Sequence, residues 1–261
     1  MKVGYIQTFP IFGNKEKNFE VIQKSLSNLK ADLIVLPELF ATGYTFTSKE
    51  EAQSLAENTN EETAHFLKGI AKSTGAIVVG GFIEKDGKNI YNAAMIATSE
   101  EIIDSYRKIH LYYKEKLWFL PGDKPLKVYN INDMNIGVMI CFDWIFPETT
   151  RSLAILGADI IAHPANLVLP YCQKAMVIRC LENRVYSVTA NRIGQETRGN
   201  DNFKFTGASQ ITSYDGKILS SAPSDEIFMD FADIDIDRAR NKKLNEFNDL
   251  FKDRKKKFYF I

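Results

Sequence analysis

The chain has 261 residues, 45% of them hydrophobic and 12% aromatic, and its 33 Lys and Arg are balanced by 33 Asp and Glu. That length makes one large domain or two small ones, and the apolar content excludes disorder, collagen and a disulfide-stapled miniprotein. A formal net charge of zero offers no broad field to nucleic acid or an anionic membrane, and it opposes self-association little, so a homodimer or higher homo-oligomer is expected.

Met1 to Gln7 enters an alternating pattern at once, without the apolar core and small-residue cleavage site of a signal peptide. No apolar run approaches the roughly 20 residues that span a bilayer. The expectation is a soluble, cytoplasmic protein. In that compartment the three cysteines stay reduced, and each is a working thiol, a ligand or core filler.

Residues 2–9 read as a strand, followed by an amphipathic helix over 14–30 with Phe19, Ile22, Leu26 and Leu29 on one face and Asn14 as N-cap. The continuous apolar run 32–36 predicts a strand buried on both faces. A polar helix over 61–73 ends at Gly75, and 76–82 is again a buried strand. Strands are expected at 92–98 and 101–106, ahead of an aromatic-rich segment, 107–127, without clear periodicity. From Asn135 the strand–helix alternation resumes: strand 135–140, helix 147–156, strand 159–164, helix 170–183 and strand 186–193. A Gly/Asn/Asp-rich loop is expected over 194–202, then strand 207–213, a hairpin turn at Asp215-Gly216 and a last strand over 226–235. This succession is α/β in class. No linker divides it, so one domain over 1–236 is favoured. Residues 237–257 hold nine Lys and Arg against four acids, which sets a segment of net charge +5 against −5 in the rest. With Leu244, Phe247, Leu250, Phe251 and Phe258, residues 237–261 read as an arm that docks on an acidic surface such as a second copy. The plain alternative is a solvated terminal helix and tail.

Three stretches put a reactive side chain directly after a buried strand, where open α/β sheets gather functional groups. In LPELF, Glu38 is one carboxylate amid apolar residues, suited to a general base and otherwise a strand-end salt-bridge partner. In GVMICFDW, Cys141 stands in a tight turn between strand and helix, where a thiol is presented to a pocket and turn N–H groups can face an oxyanion. A buried structural cysteine is the alternative, and it is the reading adopted for Cys172 and Cys180. In YRKIHL, Lys108 ends a strand, where an ammonium can stabilise an oxyanion and protonate a leaving amine.

Taken together, LPELFATGY, YRKIHL and GVMICFDWIFPE resemble the nitrilase superfamily of carbon–nitrogen hydrolases, with weaker agreement in HPANL (163–167) and LENRVY (181–186). The resemblance covers the chain to about residue 240. It implies a four-layer αββα sandwich that dimerises to αββα-αββα with the C-terminal arm reaching over the neighbour. It also implies a catalytic Glu38, Lys108 and Cys141, with Glu115 as a second glutamate tethering the lysine or orienting substrate. Substrate contacts are expected from Tyr44, Phe142, Trp144 and Asn166, with Phe46 and Trp118 near them. The implied activity cleaves small aliphatic nitriles or amides to acid and ammonia through a thioester, and the FDW-FPE pattern looks closest to small microbial nitrilases. An ω-amidase or N-carbamoyl amidohydrolase is the second choice, weakened because no arginine follows the thiol over 142–150, although Arg179 is a distant candidate. No metal or cofactor is needed, and His65, His110, His163 and the cysteines lack ligand spacing. A Cys141–His163 amidohydrolase is the rival enzyme reading. A catalytically silent interaction module of the same fold is the rival of another kind, and it would be expected to have lost a triad residue.

Overall fold

The computed structural model describes residues 1–26 and 29–259. The first half contains β1 (Lys2–Gln7), α1 (Lys15–Ser25), β2 (Leu33–Val35), α2 (Lys49–Ser54), α3 (Glu62–Thr74), β3 (Ile77–Asp86), β4 (Asn89–Ala97) and β5 (Ile102–Arg107). The short helix α4 (Glu115–Trp118) leads to β6 (Val128–Ile131), β7 (Met134–Val138), α5 (Pro147–Ile155), β8 (Ile160–Pro164), α6 (Cys172–Asn183) and β9 (Tyr186–Ala190). Then come β10 (Gln195–Arg198), β11 (Asp201–Lys204), β12 (Gln210–Thr212), β13 (Ile218–Ser221), β14 (Phe228–Asp233) and α7 (Ile236–Arg240).

Two six-stranded sheets result, ordered β14-β1-β2-β3-β4-β5 and β13-β12-β9-β8-β7-β6. Each has a parallel centre, β1-β2-β3 or β7-β8-β9, flanked by antiparallel strands. The period-2 geometry of a strand decides what each residue buries. Leu33, Val35, Ile77 and Val79 face the core between the sheets, together with Ile136, Val138 and Val188 of the second sheet. Their neighbours Ile34, Leu36 and Val78 face outward, where Ile22 of α1 and Leu67 and Ile70 of α3 cover them. Leu153 of α5 and Met176 of α6 cover the second sheet. The architecture is the expected αββα sandwich, and the continuous apolar runs are strands buried on both faces.

The boundaries differ from the sequence reading in physically instructive ways. Helix α1 keeps its cap, with Asn14 Oδ1 accepting from Lys17 N at 3.1 Å, but ends at Ser25. Residues 27 and 28 of the expected helix lie outside the described residues, and Leu29 packs on the same cluster from the following segment. The expected loop over 194–202 is instead mostly the β10–β11 hairpin. Its inward positions are Glu196 and Phe203, so a buried carboxylate hides the usual apolar alternation. Helix α2 escapes notice because only Ala52 is buried in it. The turn at Asp215-Gly216 does join two strands, β12 and β13, the second exposed and unforeseen.

Helix α7 straddles residue 237 and buries Ala239 in the inter-sheet core. Beyond it Lys242 Nζ donates to the carbonyls of Asn183 and Arg184, and Phe251 lies beneath Arg151. Leu244, Phe247 and Phe258 are exposed. No helix among the described residues is long and apolar enough to cross a membrane.

Two details set the strand ends that carry the site. Gly81 on β3 abuts the turn after β2, and a Cβ there would fall 2.5 Å from both Glu38 Cα and Leu39 N. At the end of β8, the fully buried His163 donates from Nε2 to the carbonyl of Cys141 at 3.0 Å and accepts at Nδ1 from Thr189 at 3.1 Å. A carbonyl only accepts, which fixes the Nε2–H tautomer. Desolvation lowers the His163 pKa from 6.5 to about 4.

Gly81→Ala must push the Glu38 turn away, and we expect a loss of about 1–3 kcal/mol, read as a lower Tm. Between pH 6.5 and about 4 the unfolded chain protonates its histidine before the folded chain does. Stability is therefore lost as pH falls through that window, and His163 accounts for roughly 3 kcal/mol of the loss. In His163→Gln, denaturant melts across the window should show a shallower acid slope than the wild type, and an unchanged slope would refute the assignment.

Candidate active site

Glu38 follows β2 and is fully buried, with Leu39 beside it in the left-handed region at φ 48°. Its Oε1 accepts two bonds, from Asn92 Nδ2 at 2.6 Å and from Lys108 Nζ at 2.7 Å. Its Oε2 is buried without a protein partner. One oxygen is thereby anchored and the other left with free lone pairs.

Lys108 leaves β5 with its main chain fixed at both ends. Its N–H donates to Asn92 O, and its carbonyl accepts from Gly122 N, each at 2.8 Å. Only a glycine allows this second approach, because a Cβ at 122 would meet Arg107 O at 2.3 Å. Lys108 Nζ, fully buried, also donates to Glu115 Oε1 at 2.8 Å. Desolvation pushes this ammonium down, but the charges of Glu115 and Glu38 outweigh it and hold the pKa above its usual range. Glu115, on α4, is pushed up by burial, against the pull of Lys108. The same Oε1 takes a 2.6 Å bond from the Tyr44 hydroxyl, and Oε2 takes one from Tyr112 N at 3.1 Å.

Cys141 sits immediately beyond β7 at φ 40°, a conformation that costs a non-glycine residue roughly 1–3 kcal/mol and marks an elbow held by its surroundings. The holding group is Asp143, fully buried. Its Oδ2 accepts from Ile140 N at 2.9 Å and from the Tyr106 hydroxyl at 2.7 Å. Its Oδ1 accepts from His110 N at 3.1 Å and pairs with His110 Nδ1 at 2.7 Å. One carboxylate thus locks the elbow of the second sheet to the Lys108 segment of the first. Burial pushes the Cys141 thiol well up; Glu38 and Glu115 add to this, Lys108 opposes it, and the Asn166 main-chain N–H also opposes it.

The sequence-expected residues divide into two groups. Glu38, Lys108 and Glu115 are bonded together, and their charges act on Cys141. Phe142, Trp144 and Asn166 line a cleft at Cys141 with Tyr112 and Val168. Tyr44 belongs instead to an adjoining cleft with Phe46 and Trp118, and its hydroxyl is committed to Glu115. Cys172 and Cys180 are buried free thiols, with Cys180 Sγ 3.2 Å from Ser187 Oγ. Arg179 is turned away, its Nε on the carbonyl of Trp144 and its Nη1 on Glu182. His163 reaches the Cys141 carbonyl with one ring nitrogen and Thr189 with the other, so both are engaged away from the sulfur. Among the described residues no group of three or more His, Cys, Asp or Glu is arranged to hold a metal.

Four supporting residues were not foreseen: Asn92, Asp143, Arg192 and Glu196. Glu196 accepts from Tyr44 N and Thr45 N at 3.1 and 3.0 Å, and from Arg192 Nη1 at 2.7 Å. Arg192 is itself fully buried beneath Phe205. Asp143 offered a signal, as the one charge in the run CFDWIF. The others offered none, since their partners are distant in sequence.

The profile of the family described as "Carbon-nitrogen hydrolase" matches residues 2–243. The chain is 48% identical over 264 residues to a protein of Pyrococcus abyssi (strain GE5 / Orsay) named "Nitrilase", spanning 100% of this chain and 99% of that one. It is 31% identical over 260 residues to an "(R)-stereoselective amidase" of a Pseudomonas species, spanning 98% and 92%. Among solved structures, a carbon–nitrogen hydrolase of Helicobacter pylori G27 shares the fold at a TM-score of 0.89 and 23% identity, over 99% of this chain and 97% of that one. Matched along nearly its whole length by the family profile and by these relatives, the chain belongs to the carbon–nitrogen hydrolase family, the nitrilase superfamily, and is an enzyme of that class.

Proposed function

We propose that the protein hydrolyses small aliphatic nitriles or amides to the carboxylic acid and ammonia, with Cys141 as nucleophile, Glu38 as general base and Lys108 as the cation at the developing negative charge. The observation that carries this reading is the split of Glu38: Oε1 is held by Lys108 and Asn92, while the buried Oε2 has no partner in the protein. A thiol kept protonated by burial needs such a base at the moment of attack. Oε2 takes the thiol proton as Sγ bonds to the substrate carbon. The electron pair displaced onto oxygen, or onto a nitrile nitrogen, meets Lys108 Nζ and the Phe142 N–H. With an amide, the proton then passes to the departing nitrogen, the C–N bond breaks, ammonia leaves and a thioester remains; with a nitrile, the proton goes to the nitrogen to give a thioimidate, one water adds to its carbon, and loss of ammonia then leaves the same thioester. Water, losing a proton to Glu38, attacks the thioester and releases the acid and the thiol.

In this reading Glu115 holds the lysine and is held by Tyr44, while Phe142, Trp144 and Asn166 contact substrate. The names of the relatives, nitrilase and amidase, agree with the reaction class. An ω-amidase or N-carbamoyl amino acid hydrolase is less well supported, because Arg179 is spent on Trp144 and Glu182. The silent-module reading is disfavoured by the complete Glu-Lys-Cys set. The free thiols suit a reducing, cytoplasmic setting. The exposed Leu244, Phe247 and Phe258 suit an arm, 237–261, that covers part of a second copy; residues 260 and 261 lie outside the described residues.

With ammonia release as readout, Cys141→Ala should fall by about 10⁴-fold or more while its thermal melt stays near that of the wild type. Undiminished turnover would end the thiol mechanism. Glu38→Gln should lose about 10²–10⁴-fold, and mass spectrometry of wild-type enzyme quenched during turnover should find an acyl group on Cys141.

A further inference from the structure

The cleft at Cys141 has apolar walls, supplied by Tyr112, Phe142, Trp144, Val168 and Leu169, and one polar side chain that stands out, Asn166. Asn166 is 2% exposed, and both Oδ1 and Nδ2 lack a protein partner. Among the described residues it is the one buried side-chain amide unpaired at both ends. Asn191, close by, shows how the fold treats an amide it needs for itself: Oδ1 accepts from Leu167 N at 2.8 Å, and Nδ2 donates to Gly207 O at 2.6 Å. A buried amide with both ends idle is costly to retain in a folded chain unless something else completes its bonds. Asn166 and Cys141 line the same cleft, so the idle amide faces the space in which a substrate on the thiol would sit.

The cations nearby are all engaged elsewhere. Lys108 is held by Glu38 and Glu115, Lys114 by Asp201, Arg179 by Glu182, and Arg192 by Glu196. None lines the Asn166 cleft, so a substrate carboxylate would be buried there without a counter-charge.

We propose that Asn166 determines specificity, its amide holding a neutral oxygen or nitrogen function close to the scissile carbon of an uncharged substrate. This rests on the hydrolase reading above and narrows its substrate class to small nitriles or amides whose acyl part is apolar except for one hydrogen-bonding group. The amide both donates and accepts, so a hydroxyl can use either end and an ether only the donor.

Isosteric pairs test this by kcat/KM for ammonia release: lactamide against isobutyramide, and methoxyacetamide against butyramide, with succinamate as the anionic control. The wild type should favour the oxygen-bearing member of at least one pair by about tenfold or more and should turn over succinamate slowest. Asn166→Leu should bring both ratios to within about threefold of unity, whatever its absolute rate. Asn166→Asp, which keeps an acceptor and loses the donor, should retain the lactamide preference and lose any methoxyacetamide preference. Equal rates within both pairs in the wild type, a ratio that survives Asn166→Leu, or succinamate as the best substrate would each overturn the proposal. If Asn166→Leu fails to fold, the wild-type ratios and the Asp variant still decide. Absence of ammonia from every amide and from the matching nitriles would strike the hydrolase reading itself, whereas flat ratios with brisk turnover strike only the role of Asn166.

Discussion

A lysine ammonium removed entirely from water is the constraint around which this molecule is arranged. An unpaired charge in such a place would be lost to deprotonation, and Lys108 is kept cationic by two carboxylates within 2.8 Å. Those carboxylates then need donors of their own. Asn92 serves Glu38, and Tyr44 and the Tyr112 N–H serve Glu115. The demand spreads outward until it reaches groups with no part in chemistry: Glu196 grips the backbone of Tyr44, and the buried Arg192 neutralises Glu196. A chain of satisfied bonds therefore runs from the β10–β11 hairpin to Glu38. Truncating any link leaves a buried polar atom stranded, which is why such networks resist piecemeal change.

What could be read from the sequence was what a single segment encodes. Glu38, Lys108 and Cys141 stood out because each is a reactive group at the end of an apolar run, and the strands that present them are apolar enough to be buried on both faces. Asn92 looked like any strand residue, since its partner Glu38 is 54 positions away. Tyr44 looked like a pocket aromatic, since Glu115 is 71 positions away and Glu196 is 152. The allocation of strands to two sheets was equally silent in the residues. Both parallel centres are built from the same β-branched and aliphatic runs, and the chain passes to the second sheet between β5 and β6 and back to the first between β13 and β14. The β10–β11 hairpin was misread for a related reason: its buried face is a carboxylate whose counter-ion comes from outside the hairpin.

Backbone strain follows the same logic. Leu39, Tyr113 and Cys141 all adopt positive φ without being glycine, and they lie in the three segments that carry Glu38, Lys108 and Cys141. A relaxed backbone at these points would aim the side chains along the strands instead of into the shared cavity. The cost is carried by contacts such as those of Asp143, which spends all four of its bonds on main chain and ring donors from two sheets.

The division of the site between sheets has an outcome for the life of the chain in the cell. Glu38 and Lys108 belong to the first sheet, Cys141 and Asn166 to the second, and Asp143 is the latch between them. On the proposed mechanism, neither half of the polypeptide holds the whole Glu-Lys-Cys set, and a nascent or partly opened chain carries a cysteine without its partners. If that mechanism holds, catalytic competence becomes a readout of completed sheet docking, and a condition that loosens the sandwich would silence the enzyme before it unfolds the individual sheets.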